Sequence, residues 1–276
     1  MDVVSLLSDV STLEKDINTI TEAESSTGLR LNPIKYEIIM DDFNSIETMH
    51  VFKYFMRVPK NQMTLLGAPI SRGHAMDNVL QENVDDLDRA INRLKYLQAH
   101  FAQVLLKNSL SMPRLLYTLR TSDCHDHSLM TRFDTILREV SCLILNVDFD
   151  DTQWLQTTLS VRNGGIGFRT ASTLATSDFL AFAAFTEALQ KAILPPSHSN
   201  VADETRNSAA DAWTSLSSSA PLDSCFQRIQ KAWNGPVIKS MVDRIALSAN
   251  SDVDRARLKA ATASHSGDWL HVAPIA

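Results

Sequence analysis

Met76-Asp77-Asn78-Val79-Leu80-Gln81-Glu82-Asn83-Val84-Asp85-Asp86-Leu87-Asp88-Arg89-Ala90-Ile91-Asn92-Arg93-Leu94-Lys95-Tyr96-Leu97 is the stretch on which the fold turns. Val79, Leu80, Val84, Leu87, Ala90, Ile91, Leu94 and Leu97 recur at helical spacing, while Asp77, Gln81, Asp85, Asp86, Asp88, Arg89 and Lys95 take the opposite positions. One apolar stripe with a charged back predicts a long helix that lies on a core. Downstream, the same spacing predicts helices near 100–110, 113–120, 127–146, 152–159, 170–193, 203–218, 222–234, 236–248 and 252–263. The scarcity of Gly and Pro, 8 and 9 residues, agrees with long helices that stop sharply. Upstream the pattern is different. Val10, Leu13, Ile17, Ile20 and Ala23 predict a helix opened by a capping box at Ser11-Thr12-Leu13-Glu14 and closed by Gly28. Tyr36–Met40, Met49–Val58 and Thr64–Gly67 are β-prone. The expected fold class is therefore α+β, predominantly α. A small strand-and-helix piece over 1–75 precedes helical regions over 76–194 and 201–276, with Pro195-Pro196-Ser197-His198-Ser199-Asn200 as the linker.

Composition narrows the class. Apolar residues make up 44% and charged residues 21% of the 276-residue chain, which is globular rather than disordered. The net charge of −6 is the wrong sign for a free-standing nucleic-acid binder. Charge drifts along the chain: 6 basic against 10 acidic side chains in 1–70, 9 against 12 in 71–160, and 11 against 10 in 161–276. No run has the length and apolarity of a membrane span, so no membrane partner is expected. Cys124, Cys142 and Cys225 are few, odd in number and widely spaced, which points to a reducing, intracellular setting.

Three constellations raise chemistry. Cys124-His125-Asp126-His127 crowds four metal-ligand types together, but adjacent positions diverge and no second pair exists, so a polar helix-entry loop is expected. Asp148, Asp150 and Asp151 lack the central Gly and terminal Glu of a calcium loop, and suit instead the positive end of the following helix. Asn163-Gly164-Gly165-Ile166-Gly167-Phe168-Arg169 lacks the spacing and preceding strand of a dinucleotide fingerprint, and reads as a tight turn. No hydrolase motif occurs.

The order of several short segments resembles the reverse transcriptases of non-LTR retrotransposons and their domesticated relatives. Met1-Asp2-Val3-Val4-Ser5-Leu6-Leu7 is similar to the strand that leaves the polymerase's aspartate-pair turn. Gly28-Leu29-Arg30-Leu31-Asn32-Pro33-Ile34-Lys35-Tyr36-Glu37 is similar to the family's G-L-x-L-N-x-x-K-x-E segment. Leu65-Leu66-Gly67-Ala68-Pro69-Ile70 resembles the hairpin that supports the primer terminus. Met112–Thr121, Leu159–Arg169 and Ser264–Leu270 resemble the helical region beyond the palm. The resemblance implies a palm remnant in the first piece, a thumb-like helical body after it, and a helical C-terminal extension. It also implies that the chain is truncated at both ends.

The same resemblance exposes a departure. Two-metal nucleotidyl transfer needs carboxylates from separated strands. Asp2 matches the second residue of the family's aspartate pair, Met1 stands in place of the first, and the family's early aspartate would lie upstream of the chain. The expectation is no RNA-directed DNA polymerase activity from this chain alone, no intact catalytic or metal site, and Mg2+ binding only if an upstream palm supplies the missing aspartates. Lys35 matches a lysine that protonates the departing pyrophosphate, and Gly67 a close backbone approach to the primer end. Arg89, Arg93, Lys95, Lys107, Arg114 and Arg120 are the candidates for contact with RNA or an RNA–DNA hybrid. An exposed strand edge offers itself to a protein partner, which makes a scaffold the other alternative.

Overall fold

The structure is a computed structural model, and it describes residues 6, 9–28, 32–40, 43–46, 52–193 and 203–271. It is α+β and predominantly α. Asp2 and the 195–200 linker lie outside the described residues. The chain divides into two compact units, Met1–Met63 and Thr64–Ala276.

In the first unit, helix α1 (Val10–Thr27) begins earlier than the expected capping box. The Asp9 carbonyl accepts from the N–H groups of Thr12 and Leu13, at 3.0 and 2.9 Å, so Ser11 lies inside the first turn. Gly28, at φ +70°, ends the helix as its lack of a Cβ allows. Strands β1 (Glu37–Met40) and β2 (Met56–Pro59) pair in parallel, with Glu37 opposite Met56 and Ile39 opposite Val58. Val10, Leu13 and Ile17 pack with buried Ile38, Ile46 and Phe52 to form this unit's core. The β-prone stretch Met49–Val58 is a strand only from Met56. Residues 47–51 are outside the described part, and Phe52 to Phe55 form a turn closed by a 3.1 Å bond from the Phe55 N–H to the Phe52 carbonyl. That turn brings the rings of Phe52 and Phe55 edge to face at 5.3 Å, and packing of this kind outweighs β-propensity.

The second unit opens with a hairpin of β3 (Thr64–Leu65) and β4 (Ala68–Pro69). Its two turn residues, Leu66 and Gly67, both have positive φ, +52° and +83°, the twist that suits a two-residue hairpin. Helix α2 (His74–Leu94) buries Leu80, Val84, Leu87 and Leu94 of the apolar stripe together with Met76, leaves Val79, Ala90 and Ile91 half-buried, and ends before Leu97, which is exposed. It packs on α5 (Ser128–Leu145), which follows α3 (Ala99–Leu105) and α4 (Met112–Thr121). Between α3 and α4 the chain widens into a π-helical turn, Leu106–Leu110, which the sequence reading had as plain helix. Pro113 sits at the start of α4, where a missing N–H costs little.

After α6 (Asp151–Thr158), helix α7 (Ala171–Ile193) is the hub. It contacts α4, α5, α8 (Glu204–Ser217) and α9 (Gln230–Ser248), and its residues 174–178 are buried without a break. Leu174 and Ala175 belong to a core with Leu80, Leu115, Phe133 and Leu137. Leu180 and Ala181 belong to a second core with Trp213, Trp233, Val237 and Met241. Each fully buried leucine of this kind contributes about 1.5–3 kcal/mol. Because α7 carries both cores, the segments 76–194 and 201–276 lie within one compact unit, and the boundary the contacts mark falls at Met63/Thr64 rather than at residue 75. Two helices expected at 222–234 and 236–248 are one, Gln230–Ser248, with Pro236 inside it. An interior proline costs about 3 kcal/mol. Trp233, Val237, Met241 and Ile245, spaced by four and all buried, hold the helix together across it. Helix α10 (Asp252–Ala261), capped by Ser251, completes the order. Among the described residues, no helix is long and apolar enough to cross a membrane.

Candidate functional site

Polar side chains gather at two places in the second unit. The first surrounds the Cys124–His127 loop. Arg72, just before α2, donates to Asp123 at 2.9 Å and to Asp126 at 2.8 Å. Asp123, with its side chain 2% exposed, also meets His125 Nδ1 at 2.6 Å. His127 Nδ1 accepts the Leu129 N–H at 3.2 Å and so caps α5. An accepting Nδ1 places the neutral ring's proton on Nε2, which lies 3.0 Å from Asp77 Oδ1. Cys124 is buried, and burial, followed by the neighbouring Asp123 charge, pushes its thiol up to about 12. A thiol held in that form is neither nucleophile nor metal ligand. These residues tie the start of α2 to the α4–α5 loop.

The aspartates before α6 are engaged in the same way. Asp150 accepts from the Gln153 N–H at 2.8 Å in a capping box, and Asp151 pairs with Arg138 at 2.8 Å. Among the described residues, no group of three or more His, Cys, Asp or Glu side chains is arranged to hold a metal ion.

The second gathering is a cavity of about 210 Å3 between the π-helical turn, the start of α4 and the glycine-rich loop. Lys107, Asn108, Ser111, Met112, Gly167 and Arg169 line it. Lys107 Nζ is buried and has no hydrogen-bond partner. Burial, followed by the Arg169 charge, lowers its pKa. Gly167, at φ +92°, leaves the space the lysine uses: a Cβ there would stand 2.8 Å from Lys107 Cε. The loop itself does not present its amides to a ligand. The N–H groups of Ile166, Gly167 and Phe168 all point at the Thr157 carbonyl, at 3.2, 3.2 and 3.4 Å. Nearby on α7, Asp178 is buried, and burial raises it to about 6 against the pull of Arg120, the Gln230 hydrogen bond and Arg169.

The sequence-derived candidates are dispersed. Arg89 and Arg114 converge on Asp86, the latter at 3.0 Å. Arg93 and Lys95 are exposed at the end of α2, with Lys95 Nζ 5.3 Å from the Tyr96 ring centre. Arg120 donates to Gln230 at 3.3 Å, and Lys107 faces the cavity. Lys35 is exposed in a single turn, Pro33–Lys35, and Gly67 forms the hairpin turn with open space around it. Arg89 and Arg114 thus share one acidic partner, while Arg93 and Lys95, Lys107, and Arg120 stand in three other surroundings. Sequence reasoning missed Asp178 and met Arg169 only as the end of the glycine-rich loop, because what marks both is proximity to residues 50 or more positions away. It also missed Asp134, which caps α7 from α5 by accepting from the Ala171 and Ser172 N–H groups at 2.6 and 3.0 Å.

No family model, no curated protein and no solved structure matches this chain.

Proposed function

We propose that this chain is a reverse-transcriptase-like module, made of a palm remnant, a thumb-like helical body and a helical extension, and that the 276 residues alone do not polymerise DNA. The observation that supports this reading most is pairwise contact among the segments that carry the resemblance. In the Leu65–Ile70 hairpin, the Leu66 carbonyl accepts from Tyr117 Oη at 2.9 Å, and Tyr117 belongs to the Met112–Thr121 segment. Gly267, of Ser264–Leu270, lies so close to Val161, of Leu159–Arg169, that a Cβ on it would stand 2.3 Å from Val161 Cγ1. The experiment is a primer-extension assay of the purified chain with magnesium, an RNA template and a DNA primer. No incorporation is expected, and magnesium-dependent extension would overturn the reading.

A second reading, a non-catalytic module that binds RNA or an RNA–DNA hybrid, is favoured by Arg93 and Lys95. These two exposed cations form no ion pair among the described residues. Backbone binding through them would weaken with salt by about 0.7–0.9 log units per log unit of salt for each phosphate engaged. A flat salt response argues against this reading.

A further inference from the structure

We propose that the cavity between the π-helical turn and the Gly167 loop is a binding site for a phosphate group, held by the Lys107 ammonium and the Arg169 guanidinium. The inference stands on the cavity alone and is independent of the reverse-transcriptase reading.

The first ground is an unmet demand. A buried ammonium has three donors and a desolvation cost that a partner must offset. Lys107 Nζ has no acceptor, and its strongest charged neighbour is a second cation, Arg169. Lys107 and Arg169 both line this space with no carboxylate beside them, an arrangement that folding by itself disfavours and that an oxyanion relieves once the buried ammonium swings out to meet it. Arg169 is exposed; its backbone N–H donates to the Gly167 carbonyl at 3.1 Å, while its guanidinium has no hydrogen-bond partner among the described residues, so the planar fork is free for two phosphate oxygens. Asp178, buried on α7, acts on Arg169 through its charge without bonding to it.

The second ground is construction. Lys107 belongs to the π-helical turn and lies against Gly167, and such turns concentrate at functional sites. Gly167 leaves no room for a Cβ, which would lie 2.8 and 2.9 Å from Lys107 Cε and Nζ, so the lysine stem is held against a bare backbone. The Ser111 hydroxyl donates to the Leu106 carbonyl at 2.6 Å and offers the cavity no proton, which leaves the Asn108 amide as the polar donor beside the two cations. The start of α4 at Met112 adds the positive end of a helix dipole. At about 210 Å3, the space exceeds what one water fills and admits a tetrahedral oxyanion with an attached group. Two cationic groups lining one space match a phosphate better than a carboxylate.

The test is calorimetric titration of the full chain with inorganic phosphate at low ionic strength, with acetate as the monovalent comparison. Phosphate is expected to bind and acetate to bind more weakly. Lys107→Met should weaken phosphate binding by about tenfold or more, as loss of a charge-assisted hydrogen bond does. Arg169→Gln should weaken it less, and Gly167→Ala should weaken it by displacing the lysine. Lys107→Met removes an unpaired buried charge and is expected to keep the wild-type circular dichroism spectrum and melting temperature, so loss of binding is not loss of fold. A single-stranded RNA oligonucleotide distinguishes the sources of the phosphate. Competition with inorganic phosphate, abolished in Lys107→Met, assigns the site to a nucleic-acid backbone; phosphate binding without competition assigns it to a free phosphate or phosphorylated small molecule. No phosphate binding, or equal binding by wild type and Lys107→Met, overturns the proposal even if the chain binds RNA elsewhere.

Discussion

The Arg72 cluster and the Lys107 cavity are built from similar residues and end in opposite states. Around Arg72 each charged group has a partner at hydrogen-bond distance: two aspartates on the guanidinium, and a histidine ring on each of Asp123 and Asp77. Around Lys107 the nearest strong charge has the same sign, and the ammonium donates to nothing. The first cluster is complete without a ligand, and its substitution damages the fold. The second is incomplete, and its substitution changes what the fold can hold.

The largest expected effect that sharpens this contrast is at Asp123. Asp123→Ala leaves His125 without its acceptor and Arg72 with Asp126 alone. Arg72 is half exposed, so the cost is about 3 kcal/mol rather than that of a fully buried pair, and urea denaturation reads it. A change within a few tenths of a kcal/mol would mean the cluster is ornamental.

Asp178, on the cavity side, shifts stability the other way. Its folded pKa of about 6 lies above the unfolded carboxylate value of about 3.9. The folded state therefore holds the proton more tightly. The stabilisation this gives is fully present below about pH 4 and is lost as the pH rises through about 6. Asp178→Asn should raise stability relative to wild type by up to about 3 kcal/mol at pH 8, with a difference near zero at pH 4, by thermal denaturation across that range. No change in the difference with pH would mean that the carboxylate is not desolvated.

Smaller effects complete the series. His127→Ala removes the cap of α5 and the contact to Asp77, at a cost of about 1 kcal/mol. Lys107→Met should cost nothing or stabilise by a few tenths of a kcal/mol, because a buried donor without a partner is replaced by an apolar chain of similar length. Destabilisation of 2 kcal/mol or more on the order of the Asp123 effect would erase the contrast.

Much of this architecture is legible in the sequence because it rests on local patterns. The stripe from Leu80 to Leu94 fixes α2, Gly28 stops α1, and the positive φ at Gly67 follows from its place in a two-residue turn. The features that escape local reading depend on partners far away in the chain. Pro236 is carried inside α9 because Trp233, Val237 and Met241 are buried against the Trp213 core, which no local rule contains. Phe52 turns inward because Phe55 and the first unit's core await it. The candidate site is legible only in part. Lys107 stands out as a basic residue, but its isolation depends on Gly167 and Arg169, about 60 positions on, and on a π-helical turn that leaves no signature in the spacing of apolar residues. The Cys124–His127 loop shows the converse: its ligand-like residues are conspicuous in sequence, and in the fold the cysteine is buried and the histidines and Asp126 are engaged by neighbouring side chains.

The central claim is that Lys107 is a desolvated ammonium with no partner, and the most direct measurement is its side-chain titration by NMR in the full-length chain without phosphate. The account predicts a pKa below the ordinary lysine value, moving upward when phosphate is added. An ordinary pKa that phosphate does not move would contradict it.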